Sequence, residues 1–517
     1  MSRKVHPLRL IALGVVAAVL PAQAPTTQAP KPAVPPPIPV DLEADAAGAP
    51  VQSLTIEEAM RLGRTGNVAL KAAALLPQQA RMDLLFNEAA FVPELFGGGG
   101  IDQGQRPGFR SAQLGGFQVQ PVSTQTLDAQ LGWRQRLVTG GLFELAFQPT
   151  RTDFYSSDFT QYQSVYTASY RQPLLRGAWT DYATAPISAA RHQANQAEQQ
   201  YERSVQDTLL QIVRAYWELV FARENWRVQQ TALAVAVEQL RITDERIRVQ
   251  ALAPRDRVAD EAEVARRREQ LITAENAIRA QEDALRQLLY EGADAAMWQS
   301  NLRPTSPMVV EPAVDGLEYE ELVQVALQNR PDVKAVRSAV AAAEVVRLQA
   351  DRDTLPGLDL VGGYSSDGVA DDFRGAYYDA TDQQFPDWSL RLEFSVPFGN
   401  QAARSRALRA KLEVERQQRL LHATTLDVTR QVREAVRNLQ TLAQSIRASG
   451  ESVRLATVNL DTERVKLQVG SSTAFEVQRR NQDLLEASTR LLRNQLDFRA
   501  AESALLHAQG LLQATGE

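Results

Sequence analysis

The chain of 517 residues carries four histidines and no cysteine, so it has few groups able to hold a metal or attack a substrate. His6 lies near the start. His192, His422 and His507 each stand alone on helical stretches, without a second ligand at metal-binding spacing. By residue type and setting they are expected on the surface rather than as ligands. No H-E-x-x-H, P-loop or G-x-S-x-G occurs. Gly97–Gly100 precedes neither a helix nor a lysine, which argues against a phosphate cradle. The missing cysteine excludes disulfides, thiolate zinc sites, a Cys nucleophile and an acylated N-terminal Cys. The expectation is a protein with no catalytic, cofactor or metal residues, and so no enzyme. What remains is charge beside helix breaks. Glu476 and Arg479 are i,i+3 neighbours able to pair, and Asp256, Asp260 and Glu261 follow a second break. A solvated surface pair worth about 0–1 kcal/mol accounts for such residues equally well.

The elements that must position them are long. From about Ile187 to Gln250 and from about Ala402 to Val469 there is no internal proline, and the only glycine is Gly450. Each stretch is about 65 residues, roughly 100 Å of helix and several times the usual length. Val432, Val436, Leu439, Ala443, Ile446, Val453 and Leu460 keep near-heptad spacing, which predicts coiled-coil contact. Each long helix meets a break and then another helix. In Leu467-Gln-Val-Gly-Ser-Ser-Thr473, Gly470 suits the left-handed residue that ends a helix, and Ser471, Ser472 or Thr473 can cap the next. In Val249-Gln-Ala-Leu-Ala-Pro254, Pro254 suits a helix first turn. These are the tips of two helical hairpins.

Other segments alternate with period two. Trp388, Leu390, Leu392, Phe394, Val396 and Phe398 point one way; Ser389, Arg391, Glu393 and Ser395 point the other. Leu127, Ala129, Leu131 and Trp133 do the same, as do Phe143, Leu145 and Phe147 after the turn 138–141, and Tyr162, Ser164, Tyr166, Ala168 and Tyr170. A soluble sheet with one wet face gives this pattern, and so does a barrel with lipid outside and water inside. Aromatics crowd the segments, including Trp133, Tyr364, Tyr377, Tyr378 and Trp388, as interfacial girdles do. Each half of the chain offers too few strands to close a barrel alone. A membrane barrel must close, so any barrel here is shared between chains.

The halves are copies. Residues 54–73 read LTIEEAMRLGRTGNVALKAA and residues 317–336 read LEYEELVQVALQNRPDVKAV, an offset of 263 that also aligns Pro93 with Pro356. Internal duplication is the simplest reading.

At the N-terminus, Arg3, Lys4 and Arg9 precede the apolar run Leu10–Leu20 and Ala22-Gln23-Ala24. This has the form of a secretory signal over 1–24, although Pro25 is a poor residue directly after a cut. Residues 25–50, rich in Pro and Ala, read as an extended tether. No later run reaches 18 apolar residues, so a transmembrane helix is not expected. A net charge of −6 argues against nucleic acid as a partner.

The signal form, the repeated L-x-x-E-E opening, Gln172-Pro-Leu-Leu-Arg-Gly177 and Lys466-x-x-Val-Gly470 together resemble the outer-membrane efflux protein (TolC) family over about 51–515. The resemblance implies a mainly α protein with a small β part. Three copies would pool strands into one outer-membrane β-barrel, and their coiled-coil helices would form a periplasmic α-barrel. It implies an outer-membrane channel of a tripartite efflux or type I secretion system, passive and without a cofactor. Its partners would be outer-membrane lipid, a periplasmic adaptor (membrane fusion) protein and an inner-membrane RND or ABC pump. The adaptor-docking tips would be Val469, Gly470, Ser471 and Ser472, with Ala251, Leu252, Ala253 and Pro254. Membrane-barrel residues would be Trp133, Phe143, Tyr166, Tyr170, Trp388, Leu390, Leu392 and Phe394. An acidic aperture position falls on Glu476, and a second, one turn on, falls on Arg479, making the constriction less cation-selective. In this chain the hairpin 127–149 is extra, and Gln250-Ala251-Leu252 stands where the first tip would have glycine.

The expected division is 1–24 signal, 25–50 tether, 51–300 first repeat (strands about 94–172, tip near 250–255), 301–316 linker and 317–517 second repeat (strands about 357–398, tip near 470–473). Two rivals remain: a periplasmic adaptor and an elongated coiled-coil scaffold without a pore. The duplication counts against the first, and the Trp388–Phe398 alternation against the second.

Overall fold

The computed structural model describes residues 50–111, 117–155, 158–250, 252–292, 298–307, 314, 316 and 318–513. The signal 1–24, nearly all of the tether 25–50, Leu317, Ala251 and much of the linker 301–316 lie outside the described residues.

Strand β1 (Val51–Leu54) leads into α1 (Ile56–Gly66), α2 (Val68–Ala73) and α3 (Leu75–Glu88). Four strands follow: β2 (Glu94–Ser111), β3 (Phe117–Arg136), β4 (Leu142–Phe154) and β5 (Phe159–Pro173). The short α4 (Thr180–Ala183) precedes the 64-residue α5 (Ala185–Arg248), and α6 (Asp256–Leu289) returns beside it. β6 (Asn301–Pro304) pairs in parallel with β1. The second half repeats the plan: α7 (Tyr319–Asn329), α8 (Pro331–Arg352), β7 (Gly357–Ala370), a helix α9 (Phe373–Thr381), β8 (Phe385–Ser395), the 68-residue α10 (Gln401–Gln468) and α11 (Ala474–Gln509).

The duplication is exact in backbone terms at the start of each half. α1 and α7 are both 11 residues long and begin 263 apart, at Ile56 and Tyr319. Both break at equivalent residues, Asn67 and Arg330, and β2 and β7 begin at the equivalent Glu94 and Gly357. The break residues also do the same work. Asn67 Nδ2 donates to Leu288 O near the end of α6 (2.9 Å), and Arg330 Nη1 donates to Ala508 O near the end of α11 (3.2 Å). Each ties the opening helix of its half to the foot of its hairpin.

The hairpins are held by narrow apolar seams. Val436, Leu439, Ala443 and Ile446 of α10 pack on Phe498, Ala501 and Leu505 of α11. Val428 and Val432 pack on Ala326, Val333 and Ala508. The near-heptad residues are therefore the buried ones, except Val453, which is half-buried. Across the hairpins, Arg493 of α11 makes two hydrogen bonds to the Glu218 carboxylate of α5 (2.7 and 2.8 Å) and lies 5.2 Å from the Phe221 ring centre.

The six-stranded sheet has the order β2-β3-β4-β5-β7-β8, antiparallel throughout, with β2 and β8 as its edges. The extra hairpin is wider than 127–149: β3 and β4 span 117–154 and enter the sheet between β2 and β5. Tyr377 and Tyr378 belong to no strand. They lie on α9, whose N-terminus is capped by the Asp372 side chain.

Candidate functional site

The sheet sorts its side chains by chemistry across all six strands. Directly opposed residues share a face, because antiparallel partners project to the same side. One row runs Leu95, Trp133, Leu145, Ala168, Tyr364, Trp388. A second on the same face runs Gln135, Phe143, Tyr170, Gly362, Leu390. Leu127, Leu131, Phe147, Tyr166, Leu360, Leu392 and Phe394 continue that face. Trp133 and Phe143 meet edge-on at 5.5 Å, and Phe147 stacks on Tyr166 at 4.6 Å.

The opposite face is polar. Its row through Glu94, Arg134, Glu144, Ser169, Gly363 and Ser389 is typical. Arg134 Nε donates to Glu94 at 2.8 Å, and Arg171 joins Glu393 at 3.1 Å and Asp359 at 3.6 Å. Phe96 is an aromatic exception there, lying over the bare backbone of Gly132. The apolar side chains are not buried within the chain: Trp388 is 76% and Leu390 66% exposed. A broad apolar face of this kind needs a cover, and ion pairs on the other side mark that side as wet.

α9 lies on the apolar face. Its buried Ala376 and Ala380 cover Gly368 and Ser366, and the Ser366 hydroxyl donates to Ala380 O at 2.6 Å. Tyr377 packs edge-on against Phe147 at 6.0 Å. Small and polar residues on that face are thus covered by a helix.

At the other extreme of the molecule are the tips. Val469 and Gly470 close α10, with Gly470 at φ +77°. Ser472 donates its hydroxyl to Glu463. That hydroxyl, opposed by a smaller effect of burial and supported by Lys466, holds the Glu463 carboxyl below the ordinary range. Thr473 caps α11: the Glu476 N–H donates to its Oγ1 at 3.3 Å. Glu476 is half-buried and Arg479 exposed. Among the described residues no ion pair joins them, so the expected pair does not form; the neighbouring Arg480 pairs with Asp483 at 3.2 Å.

At the first tip, Gln250 takes the left-handed conformation, φ +60°, that glycine takes at the second. Pro254 does not open α6, which starts at Asp256. Leu252 is half-buried, while Ala253 and Pro254 are exposed. The Thr243 hydroxyl donates to Asp260 at 2.6 Å, and Arg257 pairs with Asp244 at 2.8 Å and Glu261 at 3.3 Å. Besides Val469, which is 74% exposed, three apolar side chains that sequence reading passed over stand out at the tips: Val249, Val258 and Phe475, the last 71% exposed. Apolar residues flanking a turn were the available signal. Between the hairpins near the tips runs a groove of about 880 Å³ lined by Thr231, Val235, Ile242, Leu467, Val477 and Leu484.

His507 is not a free surface residue, as its type suggested. Its Nε2 lies 2.6 Å from Asp207 Oδ1, and its side chain is 13% exposed. Asp207 also receives Arg203 Nε at 3.0 Å, and Arg203 reaches Asp332. Asp332 accepts from Arg330 at 3.0 and 2.7 Å. Burial pushes the Asp207 and Asp332 carboxyls up, but their cationic and hydrogen-bonding partners outweigh it and hold both below the ordinary range. This network joins α5, α8 and α11 at the foot of the hairpins and holds no substrate-facing group. Among the described residues no cluster suited to a metal occurs, and no helix is long and apolar enough to cross a membrane.

A sheet divided between greasy and charged faces, carried on paired helices of more than 60 residues, defines the class: a barrel-forming wall protein with a long helical extension. The pattern of the outer membrane efflux protein family matches residues 322–511. Over that part of its sequence the chain resembles this family. The likeness supports a place in the outer membrane, with the long helices in the periplasm, and the proteins it resembles are channels. It is 28% identical to protein CyaE of Bordetella pertussis over 339 residues, 64% of this chain and 67% of that one. It is 23% identical to outer membrane protein TolC of Vibrio cholerae over 367 residues, 70% of this chain and 78% of that one. Its fold matches the crystal structure of the Campylobacter jejuni CmeC outer membrane channel with a TM-score of 0.62 at 16% identity, covering 89% and 87% of the two chains. It also matches the outer membrane protein VceC of Vibrio cholerae with a TM-score of 0.64 at 15% identity, covering 88% and 96%.

Proposed function

We propose that the chain is the outer-membrane conduit of a tripartite efflux or type I secretion assembly. Three copies close one barrel and pass substrates delivered by an inner-membrane RND or ABC pump and a periplasmic adaptor. The conduit is passive; the pump supplies the energy.

One observation carries this reading: the sheet keeps a single apolar face from edge to edge, and both edges are open. In lipid an unpaired strand edge costs several kcal/mol per group, so the edges must meet other copies. A soluble scaffold has no use for such a face. An adaptor would not carry two halves of one plan.

The tips Leu252–Pro254 and Val469–Ser472 are the adaptor-docking points, and the exposed Val249, Val258, Val469 and Phe475 give them apolar contact surface. Ala251 belongs to the first docking set by sequence alone. Glu476 and Arg479 line the aperture, where opposite charges from each copy would lower cation selectivity. Opening is a shift of the tip helices between two packings.

The test is purified protein in planar bilayers, together with gel migration before and after heating. A heat-sensitive trimer that conducts ions, with Glu476→Gln shifting cation preference, supports the reading. A stable monomer that leaves bilayers unaltered overturns it.

A further inference from the structure

We infer that β8 of one copy seats antiparallel on β2 of the next in one defined register, and that the closed wall has eighteen strands. The inference rests on the trimer proposed above for its strand total, but not for its register.

The register follows from the duplication. Within the chain, the last strand of the first half, β5, pairs with the first strand of the second half, β7, from Tyr162↔Ala370 to Pro173↔Asp359. The equivalent seam between copies joins β8, the last strand, to β2, the first. β7 maps onto β2 by the offset of 263 that relates Gly357 to Glu94. β5 maps onto β8 when Pro173, the last residue of β5, is set against Pro397, the proline two residues beyond the end of β8. Tyr170 faces Gly362 inside the chain, so Phe394 faces Gly99 of the neighbour. Ala168 faces Tyr364, so Leu392 faces Ile101. All four of these side chains or their equivalents lie on the apolar face, which therefore runs on unbroken across the seam.

Charge supplies a second, independent argument. In the same register Arg391 of β8 falls opposite Asp102 of β2, and Asp387 falls opposite Arg106. All four project from the polar face. Among the described residues none of the four has an ion-pair partner within its own chain, whereas Glu393 on the same edge strand is joined to Arg171. Two open edges thus carry unpaired charges of opposite sign at matching steps. A slip by two residues sets Arg391 against Gly100 and Asp387 against Gly104, and both pairs are lost.

The strand total follows from the inserted hairpin. β3 and β4 lie inside the sheet with their apolar rows continuous with β2 and β5, so they are wall and not an external loop. Tyr377 of α9 bridges β4 and β5 through Phe147 and Tyr166, which ties the inserted strand to its neighbour. Six strands from each of three copies give eighteen. With strands about 4.8 Å apart and tilted roughly 40°, such a wall is about 36 Å across, half as wide again as one without β3 and β4. The barrel is then no sieve, and any size selection falls to the helical tips.

The chain has no cysteine, so pairs can be introduced without background. In the full-length protein refolded into vesicles, Ser389→Cys with Gly104→Cys should form a covalent trimer on oxidation. Ser389→Cys with Asp102→Cys, one slip away, should not. Arg391→Asp should abolish the heat-sensitive trimer, and adding Asp102→Arg should restore it, which separates lost pairing from misfolding. Cross-linking at the slipped pair, or from Ser389→Cys to Glu144→Cys on β4, overturns the register or the strand total while leaving the conduit reading intact. Absence of any oligomer and of any conductance overturns the conduit reading itself.

Discussion

Substituting Leu390 by arginine distinguishes a lipid-facing wall from a water-facing sheet. Leu390 sits at mid-strand in β8, opposite Gly362, and two-thirds of it is exposed in the isolated protomer. If that exposure were to water, an arginine would change stability by no more than about 0.5 kcal/mol, as exposed substitutions do. If it is to hydrocarbon, arginine near mid-depth costs about 2–4 kcal/mol per copy, a factor of roughly 30 to 1,000 in the folding equilibrium. The neighbouring Ser389 projects from the polar face beside Gly363. Ser389→Arg should therefore stay within about 0.5 kcal/mol of the parent. The assay is urea titration of folding into vesicles, with the folded fraction read from heat-modifiable migration. We expect Leu390→Arg to lower the midpoint sharply and Ser389→Arg to leave it nearly unmoved. Equal effects at both positions, or none at Leu390, would refute the face assignment.

Other substitutions probe the helical body. Gly510 has φ +73°, and a Cβ there would meet Arg330 backbone at 2.9 Å, whereas one at Gly470 meets nothing within 4 Å. Gly510→Ala should therefore lower the melting temperature clearly, while Gly470→Ala carries only the left-handed penalty of about 1–2 kcal/mol, confined to the tip. Gln250 holds the same left-handed conformation without being glycine, so Gln250→Gly should slow hydrogen exchange around 246–256 by up to about fivefold, a gain of roughly 1 kcal/mol. Asp207 and Asp332 have carboxyls depressed in the folded state. Such groups stabilise fully above the unfolded value of about 3.9 and lose that contribution as pH falls through the lower folded value. Thermal unfolding should thus change little from these groups above about pH 5 and become easier below about pH 4. Arg330→Ala, which strips a buried guanidinium from Asp332 and Ala508 O, should lower stability at neutral pH by about 3–5 kcal/mol and flatten that acid dependence.

Much of this architecture is legible in local pattern. The repeat places α1 with α7 and β2 with β7, and period-two alternation marks β3, β4, β5 and β8. The polar outer parts of β2 and β3 are not legible. There Pro107 faces Pro121 and Gln103 faces Gln125, so neither composition nor alternation advertises a strand. α9 is hidden for the opposite reason: its Tyr377 and Tyr378 resemble girdle aromatics, and only the Asp372 cap at its start hints at a helix. Gln250 hides a left-handed turn because its side chain does not signal one. The His507 contact is invisible because its partner Asp207 lies 300 residues away in sequence. The shared face of the sheet residues was legible because alternate residues of a strand project to the same side. The tips were less so, since an exposed valine such as Val249 resembles any other until the hairpin turns it outward.

The orientation of the sheet is the centre of the proposal, and a nitroxide scan of β8 tests it most directly. Single cysteines at positions 388 to 394, spin-labelled in vesicles, report accessibility to oxygen dissolved in lipid and to a nickel chelate dissolved in water. We expect strict alternation: oxygen at Trp388, Leu390, Leu392 and Phe394, nickel at Ser389, Arg391 and Glu393. Uniform access of the nickel chelate to both sets would contradict a wall with lipid on one side and a water-filled bore on the other.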